Sequence, residues 1–439
     1  MRTSQKGQGQ DQYGLAVYAT WSLSYAKLGL PARTFLQISS LLHHEGISEE
    51  IFKRAASSQE ELNDSELQRD ITRVLELLGK EGSQWKTLVF RAVISELQSY
   101  SLIEFDRQNH SYTIHPLVQH WSYTTMDNNQ HLLKKSTISI IGLSISETLT
   151  VDDYRFQRTL VPHIVNCTAS VIPEEIDLGI AEKLASAYGE QGQWKSAEAL
   201  ELMVMDKRMQ LLGDEHPDTL QSIANLADTY HDLGQWKDAE ALDIVVMNKR
   251  KLLLGEEHPD TLQSMANLAA TYRELGQWKK AKELEVAVID KQKLLLGEEH
   301  PNTLTSMENL ADTYWNLGQW KDAETLRVVV MDKRKQLLEE KHPNTSQSMA
   351  NLAVTYSNQS QGQNTEALGV AVMDKPKHLP KDDHPDTLTS MENLATTYQD
   401  LGQWQDAEAL CRKNRQKHIC PYKANGHDVH ILRPRLQRI

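Results

Sequence analysis

The 439-residue chain has only three Cys, which excludes a disulfide-built scaffold and fits a reducing compartment. No apolar run approaches the roughly 20 residues of a membrane-spanning helix. The longest, around Ile138–Leu149, is broken by Ser and Gly. The first residues, MRTSQKGQGQDQYG, lack the apolar core of a secretory signal. These absences predict a cytoplasmic protein without a membrane partner. Positive charge is also scarce. Against 60 Asp and Glu stand 47 Lys and Arg, a net charge of −13, so a nucleic-acid partner with its need for a basic face is not expected.

Catalytic patterns are missing as well. There is no Gly-x-Ser-x-Gly elbow, no His-Glu-x-x-His and no Cys with a plausible base, so the chain reads as a non-enzyme with no cofactor. His43-His44, the His427 and His430 pair, and Cys411 and Cys420 with His418 lack zinc-ligand spacing, so no metal site is expected. A P-loop is absent too. Gly79-Lys80 is followed by Glu81 and has Val74 where the first Gly of Gly-x-x-x-x-Gly-Lys-Ser/Thr belongs.

Phenylalanine is rarer than tryptophan, five against nine, and its distribution marks a boundary. Phe35, Phe52, Phe90, Phe105 and Phe156 all lie early in the chain, whereas Trp194, Trp236, Trp278, Trp320 and Trp404 share one later local context. The first four of these Trp are evenly spaced, and Trp404 follows after two more periods. His-Pro pairs at His216, His258, His300, His342 and His384 keep the same period. The unit reads HPDTLQSMANLAATYRELGQWKKAKELEVAVIDKQKLLLGEE. The fifth copy slips by two residues around Gly362, and Asn364 stands in place of its Trp.

Each unit predicts two helices. Leu262, Met265, Leu268, Ala269 and Tyr272 form the apolar stripe of the first. Asp260 is expected to cap it, and Gly276 to end it. The second begins at Trp278 and places Ala281, Leu284, Val288 and Leu295 on one side, before Gly297 and Pro301. A lone helical hairpin cannot bury such stripes, so the copies are expected to stack. The His-Pro residues are then junction residues, too far apart to share a metal ion. The repeat Trp are expected to pack between adjacent helices.

Leu268, Ala269, Tyr272, Gly276, Ala281 and Pro301 resemble the tetratricopeptide pattern. The long period and the Leu-Gly-acidic-His-Pro junction resemble the kinesin-light-chain type of that repeat, and also the tandem arrays of fungal, basidiomycete NLR-like proteins with NB-ARC or NACHT cores. The resemblance covers about residues 176–410 and implies a mainly all-α fold, an α-solenoid of about six helical hairpins.

Upstream, helical patterns run through Val17–Leu28, Ala32–Leu42, Glu49–Ala56, Ser65–Leu78 and Thr87–Ser99. LIEFDRQNHSYTIHP then reads as one β-hairpin, followed by a helix over Pro116–Tyr123. This order suggests a winged helix. The phrases AVYATWSLSYAKL, FLQISSLLHHEGISEEIF and SLIEFDRQNHSYTIHPLVQHW resemble the segment that follows the nucleotide-binding core of the same NLR-like proteins. In that family a His at this place senses nucleotide, which implies that His115 contacts the β-phosphate of ADP. Without a P-loop, a nucleotide partner is expected only if that domain is supplied elsewhere, as in a STAND-type switch. The competing expectation is a structural His at a hairpin-to-helix junction.

The organisation expected is therefore a disordered N-terminus over 1–11, a winged-helix-like domain over 12–126, a helical adapter pair over 127–175, repeats over 176–410 and a basic tail over 411–439. Pro376 and Pro380 are expected to shorten or kink the second helix of the fifth repeat.

One constellation carries the functional expectation. Asn225, Asn267, Asn309, Asn351 and Asn393 occupy the same place in each first helix, before Leu-Ala, with Lys183 there in the first copy. In the tetratricopeptide family this position faces the concave groove, where an amide can both donate to and accept from an extended peptide. By the same register Arg273, Trp315 and Asn316 face the groove, with Asp228, His231, Glu274, Asp312 and Glu392 as neighbours. This implies a polar peptide or protein ligand and an interaction scaffold. The alternatives are that the Asn side chains cap or bridge adjacent helices, and that the chain is a cargo adaptor like kinesin light chain. Trp315 is a candidate ligand contact or a partly buried packing residue.

Overall fold

A His-Pro pair starts the first helix of each described repeat after the first, and the chemistry is local. In the computed structural model, which describes residues 18–58, 64–126, 130–146, 150–169, 175–338 and 343–358, His258 takes the extended N-cap conformation. Its Nδ1 accepts the Asp260 N–H at 3.2 Å, and Pro259 fills the first helical position, where no N–H is needed. His216 and His300 repeat the arrangement. Asp260 is therefore not the cap expected from sequence. It lies inside the first turn, where its charge meets the positive helix end. We expect His258→Ala to cost about 1 kcal/mol and His258→Asn to retain most of that, read by urea denaturation.

The described residues contain seventeen helices and four short strands in two compact units, one ending at Gly234 and the other beginning at Gln235. The first unit opens with α1 (18–27), α2 (Leu30–Leu41), α3 (Glu49–Ser57) and α4 (Ser65–Leu78). A hairpin of β1 (Lys80–Glu81) and β2 (Gln84–Trp85) leads to α5 (Thr87–Ser99). The expected hairpin follows as β3 (Glu104–Asp106) and β4 (Ser111–Thr113), with α6 (Pro116–Thr124) behind it. The β1–β2 hairpin is additional to the one expected, because two-residue strands leave no alternation to read. Tyr112 of β4 also bridges to Ile47.

Phe35, Phe52 and Phe90 explain the early phenylalanines. They are fully buried, with ring centroids 5.5 to 5.9 Å apart, at the centre of this part. Next come α7 (Gln130–Leu143) and α8 (Val151–Thr168), then the first repeat as α9 (Leu178–Glu190) and α10 (Trp194–Leu212), and the first helix of the second as α11 (Pro217–Asp232). One hydrophobic core runs from Leu28 through Ile141 and Leu184 to Val204. Gly142 allows the approach of α7 to α9, since a Cβ there would stand 2.6 Å from Ile180. The buried ring of His163 on α8 accepts the His43 N–H at Nδ1 and donates to the Gly46 carbonyl from Nε2, pinning the loop after α2. Burial pushes its pKa down to about 4, which keeps the ring neutral in this role.

The second unit is α12 (Trp236–Leu254), α13 (Pro259–Glu274), α14 (Trp278–Leu295), α15 (Pro301–Asn316), α16 (Trp320–Leu338) and α17 (Pro343–Asn358), each packed on the next. Leu262, Leu268, Ala269 and Tyr272 are buried as the periodicity predicts. Gly276 ends α13 at φ 69°, in the left-handed region. Two expectations need correction. Leu295 is 46% exposed, and its neighbours Leu294 and Leu296 at the end of α14 are exposed too. The repeat Trp start each second helix as expected, yet Trp236 is 36% and Trp320 55% exposed, so these rings lie against the surface more than between helices. The expectations for Asn393, Glu392, Pro376, Pro380, Trp404, Cys411, Cys420 and the terminal segments lie outside the described residues.

Candidate functional site

The asparagine register is built by the first helices. Asn225 on α11, Asn267 on α13, Asn309 on α15 and Asn351 on α17 are all half-buried. Three of them accept a hydrogen bond at their side-chain oxygen from a Gln one turn earlier: Gln221 to Asn225 at 2.7 Å, Gln263 to Asn267 at 2.8 Å and Gln347 to Asn351 at 2.8 Å. At Asn309 the earlier residue is Thr305. Asn351 also donates to Glu308 of the preceding repeat at 2.6 Å. Of the two uses weighed from sequence, these bonds belong to the bridging and packing one. The carbonyl end supports the helix, and at Asn351 the amide bridges repeats. The Gln-x-x-x-Asn spacing that carries this was legible in the unit but went unread.

Around the ladder lie the residues expected in the groove. Arg273 is half-buried, its Nε 3.5 Å from Glu285 Oε1 and its Nη1 3.8 Å from Asp312 Oδ2. Trp315 is half-buried as well. The Arg327 guanidinium stands 6.0 Å from its ring centroid, and the Trp320 ring 6.3 Å. Asn316 is exposed and donates to the Asp312 carbonyl at 2.9 Å. His115 belongs to the first unit. It caps α6 through Nδ1, which accepts the Leu117 N–H at 3.2 Å, the same His-Pro device as in the repeats.

A second register was missed in the sequence. Glu201, Asp243, Glu285 and Arg327 recur once per repeat on the second helices, a charge on the inner side of each. Asp243, Glu285 and Arg327 are buried. Each belongs with a buried Thr on the following first helix: Thr229, Thr271, Thr313 and Thr355. The Thr271 hydroxyl donates to Asp243 at 2.7 Å. Glu285 fares worse. It is 4% exposed, and neither carboxylate oxygen has a hydrogen-bond partner among the described residues. Burial pushes its pKa up to about 7, Thr313 and Arg273 pull it down, and the Asp312 charge pushes it up again. Glu201 is likewise pushed up to about 7, first by burial and then by Asp228, Asp232 and Glu198, against Thr229. Arg327 bonds Asp312 and Thr355 in the reversed polarity.

Within the first unit, α9, α10 and α11 enclose a cavity of about 490 Å³ lined by Gly189, Trp194, Glu201, Asn225, Asp228 and Thr229, among others. Among the described residues no group of three His, Cys, Asp or Glu side chains could hold a metal ion, and no helix is long and apolar enough to cross a membrane.

Regularly repeated helical hairpins, each helix packed on the next within its unit, define a tetratricopeptide-repeat protein. Residues 178–218, 219–260, 261–302, 303–344 and 387–418 match the tetratricopeptide repeat family, and residues 23–131 match a domain of unknown function (DUF7779). The repeats are of the kinesin-light-chain type. A Podosopora anserina chain of nearly identical TPR-like repeats, assigned as a kinesin light chain, is 34% identical, with 46% of this chain and 96% of that one covered and a TM-score of 0.40. A variant of that protein is 32% identical, covering 46% and 94%, with a TM-score of 0.42. BtubC (BKLC) from P. vanneervenii is 19% identical, covering 53% and 97%, with a TM-score of 0.43. No curated protein matches the chain.

Proposed function

We propose that the chain is a non-enzymatic interaction scaffold that binds a polar, extended peptide or protein segment along the first helices of its repeats. The observation that carries this reading is the asparagine register, half-buried and flanked by Arg273, Trp315 and Asn316. Such a face offers amide donors, charge and an aromatic ring to a peptide main chain, and no nucleophile with its base. The experiment is a pull-down with the full chain, repeated with Asn267→Ala/Asn309→Ala. Partner recovery is expected to disappear while circular dichroism stays unchanged. Undiminished recovery would sink the assignment of this face.

The domain order extends the reading. A helical domain with two hairpins, read as a winged helix over 12–126, precedes an adapter and the repeats. This order supports a role as the sensor or effector-recruiting half of an NLR-like signalling protein in the cytoplasm. In the STAND-switch version a nucleotide core comes from elsewhere and His115 meets its β-phosphate; ADP retained on the purified chain would favour it. A cargo-adaptor role rests on the repeat type, and absence of kinesin heavy chain from the pull-down would close it.

A further inference from the structure

We propose that the cavity of the first repeat is a receptor for a guanidinium group, the side chain of an arginine on the bound partner; this rests on the scaffold reading above. The template is inside the molecule. In the second unit, Arg273 from the last turn of α13 sets its guanidinium between Glu285 of α14 and Asp312 of α15, in ion-pair contacts of 3.5 Å from Nε and 3.8 Å from Nη1. Two repeats earlier, the same three positions are Gly189, Glu201 and Asp228. Both acids are kept and the arginine is replaced by glycine.

The missing side chain leaves room. A Cβ built on Gly189 would meet only the Trp194 ring, at 3.4 and 3.9 Å. Beyond it lies the cavity of about 490 Å³, with Gly189, Trp194, Glu201 and Asp228 in its lining. One Glu201 carboxylate oxygen is sealed from solvent and has no hydrogen-bond partner among the described residues. The lining also carries Glu190 and Asp232, while the charge of Glu182 is met by Arg208 at 2.5 Å. A half-buried carboxylate with one sealed, unbonded oxygen, beside a vacated arginine position, calls for a cation. A guanidinium fits better than an ammonium. The two acids come from different helices, and the template reaches them with two different nitrogens of a planar fork, which a point charge does not supply. The later repeats reuse the chemistry, since Arg327 pairs with Asp312 beside the Trp315 ring.

The test is saturation-transfer NMR on the full chain with Nα-acetyl-arginine amide, at about pH 8, where a carboxylate titrating near 7 is ionised. Transfer to the probe's δ-methylene is expected, with none to Nα-acetyl-norleucine amide. Glu201→Gln should weaken binding about ten-fold, the loss of one charge-assisted hydrogen bond. Gly189→Arg should abolish it by supplying the chain's own guanidinium. Equal transfer to the norleucine or lysine analogue, or undiminished transfer in Glu201→Gln, overturns the proposal. Glu201→Gln removes a half-buried charge at constant shape, so it keeps the test decisive if Gly189→Arg fails to fold. The probe is independent of any peptide. A partner captured equally by wild type and Gly189→Arg, with no probe binding, removes the pocket and leaves the scaffold; probe binding without capture does the reverse.

Discussion

Arg334→Ala is expected to destabilise the last described repeats by about 3–5 kcal/mol, the usual loss when one member of a buried ion pair is removed. Arg334 lies on α16 and is buried. Its guanidinium grips Glu308 of α15, donates to the Ser348 hydroxyl at 2.8 Å and the Asn344 carbonyl at 3.3 Å on α17, and reaches Thr305 at 3.4 Å. Three successive helices therefore meet on one side chain. Truncation leaves Glu308, also buried, with Asn351 as its polar contact. Hydrogen exchange of the α15–α17 amides reads the effect locally, which suits an array whose repeats contact mainly their neighbours. The double variant Glu308→Leu/Arg334→Met should recover most of the loss, because it removes the buried charge along with its partner. A double variant as unstable as Arg334→Ala would show that packing, and not the stranded carboxylate, is responsible.

Glu285→Gln is expected to stabilise the second unit at alkaline pH and to do little in acid. The folded pKa of Glu285 is raised from 4.5 to about 7, so the folded state binds the proton more tightly than the unfolded chain. The associated stability is fully present below about pH 4.5 and lost as pH rises through about 7. A rise of that size corresponds to about 3 kcal/mol. Arg273 and Asp312, the charged groups that face the carboxylate, remain paired with each other in the variant. Thermal melts at about pH 5 and pH 8 should differ more for the wild type than for Glu285→Gln, in which Glu201 alone of the two carboxyls raised to about 7 still titrates in that window. A wild-type melting temperature flat across that range would contradict the buried carboxylate that no hydrogen bond among the described residues satisfies.

Much of the fold was legible because its signals are local. The apolar stripe at Leu262, Leu268, Ala269 and Tyr272 requires only the helical period. The N-terminal helices Ser65–Leu78 and Thr87–Ser99 lie where their patterns put them. The cap was misread by two residues, since Asp is the commoner capping residue and the imidazole Nδ1 of His258 does the same work. The β1–β2 hairpin was invisible at two residues a strand. At the candidate site, the asparagine register was legible as a register, while its bonds to Gln221, Gln263 and Gln347 became plain only with coordinates.

The sequence by itself determined the period, the two helices per repeat, the Gly and His-Pro punctuation and the change of architecture after the last Phe. These depend on neighbours within a turn or two. Only the tertiary structure decided which polar residues are buried. Glu201, Asp243, Glu285 and Arg327 look like ordinary charged positions on amphipathic helices, and the helix that covers each of them comes only after the next turn of the chain, bringing Thr229, Thr271, Thr313 and Thr355. It also decided what Gly189 means. In the chain it is a small residue near a helix end. In the fold it is the vacancy between two acids that Arg273 fills elsewhere. Desolvation and charge pairing act through space, so the stacking of one repeat on the next, and not the period, sets them.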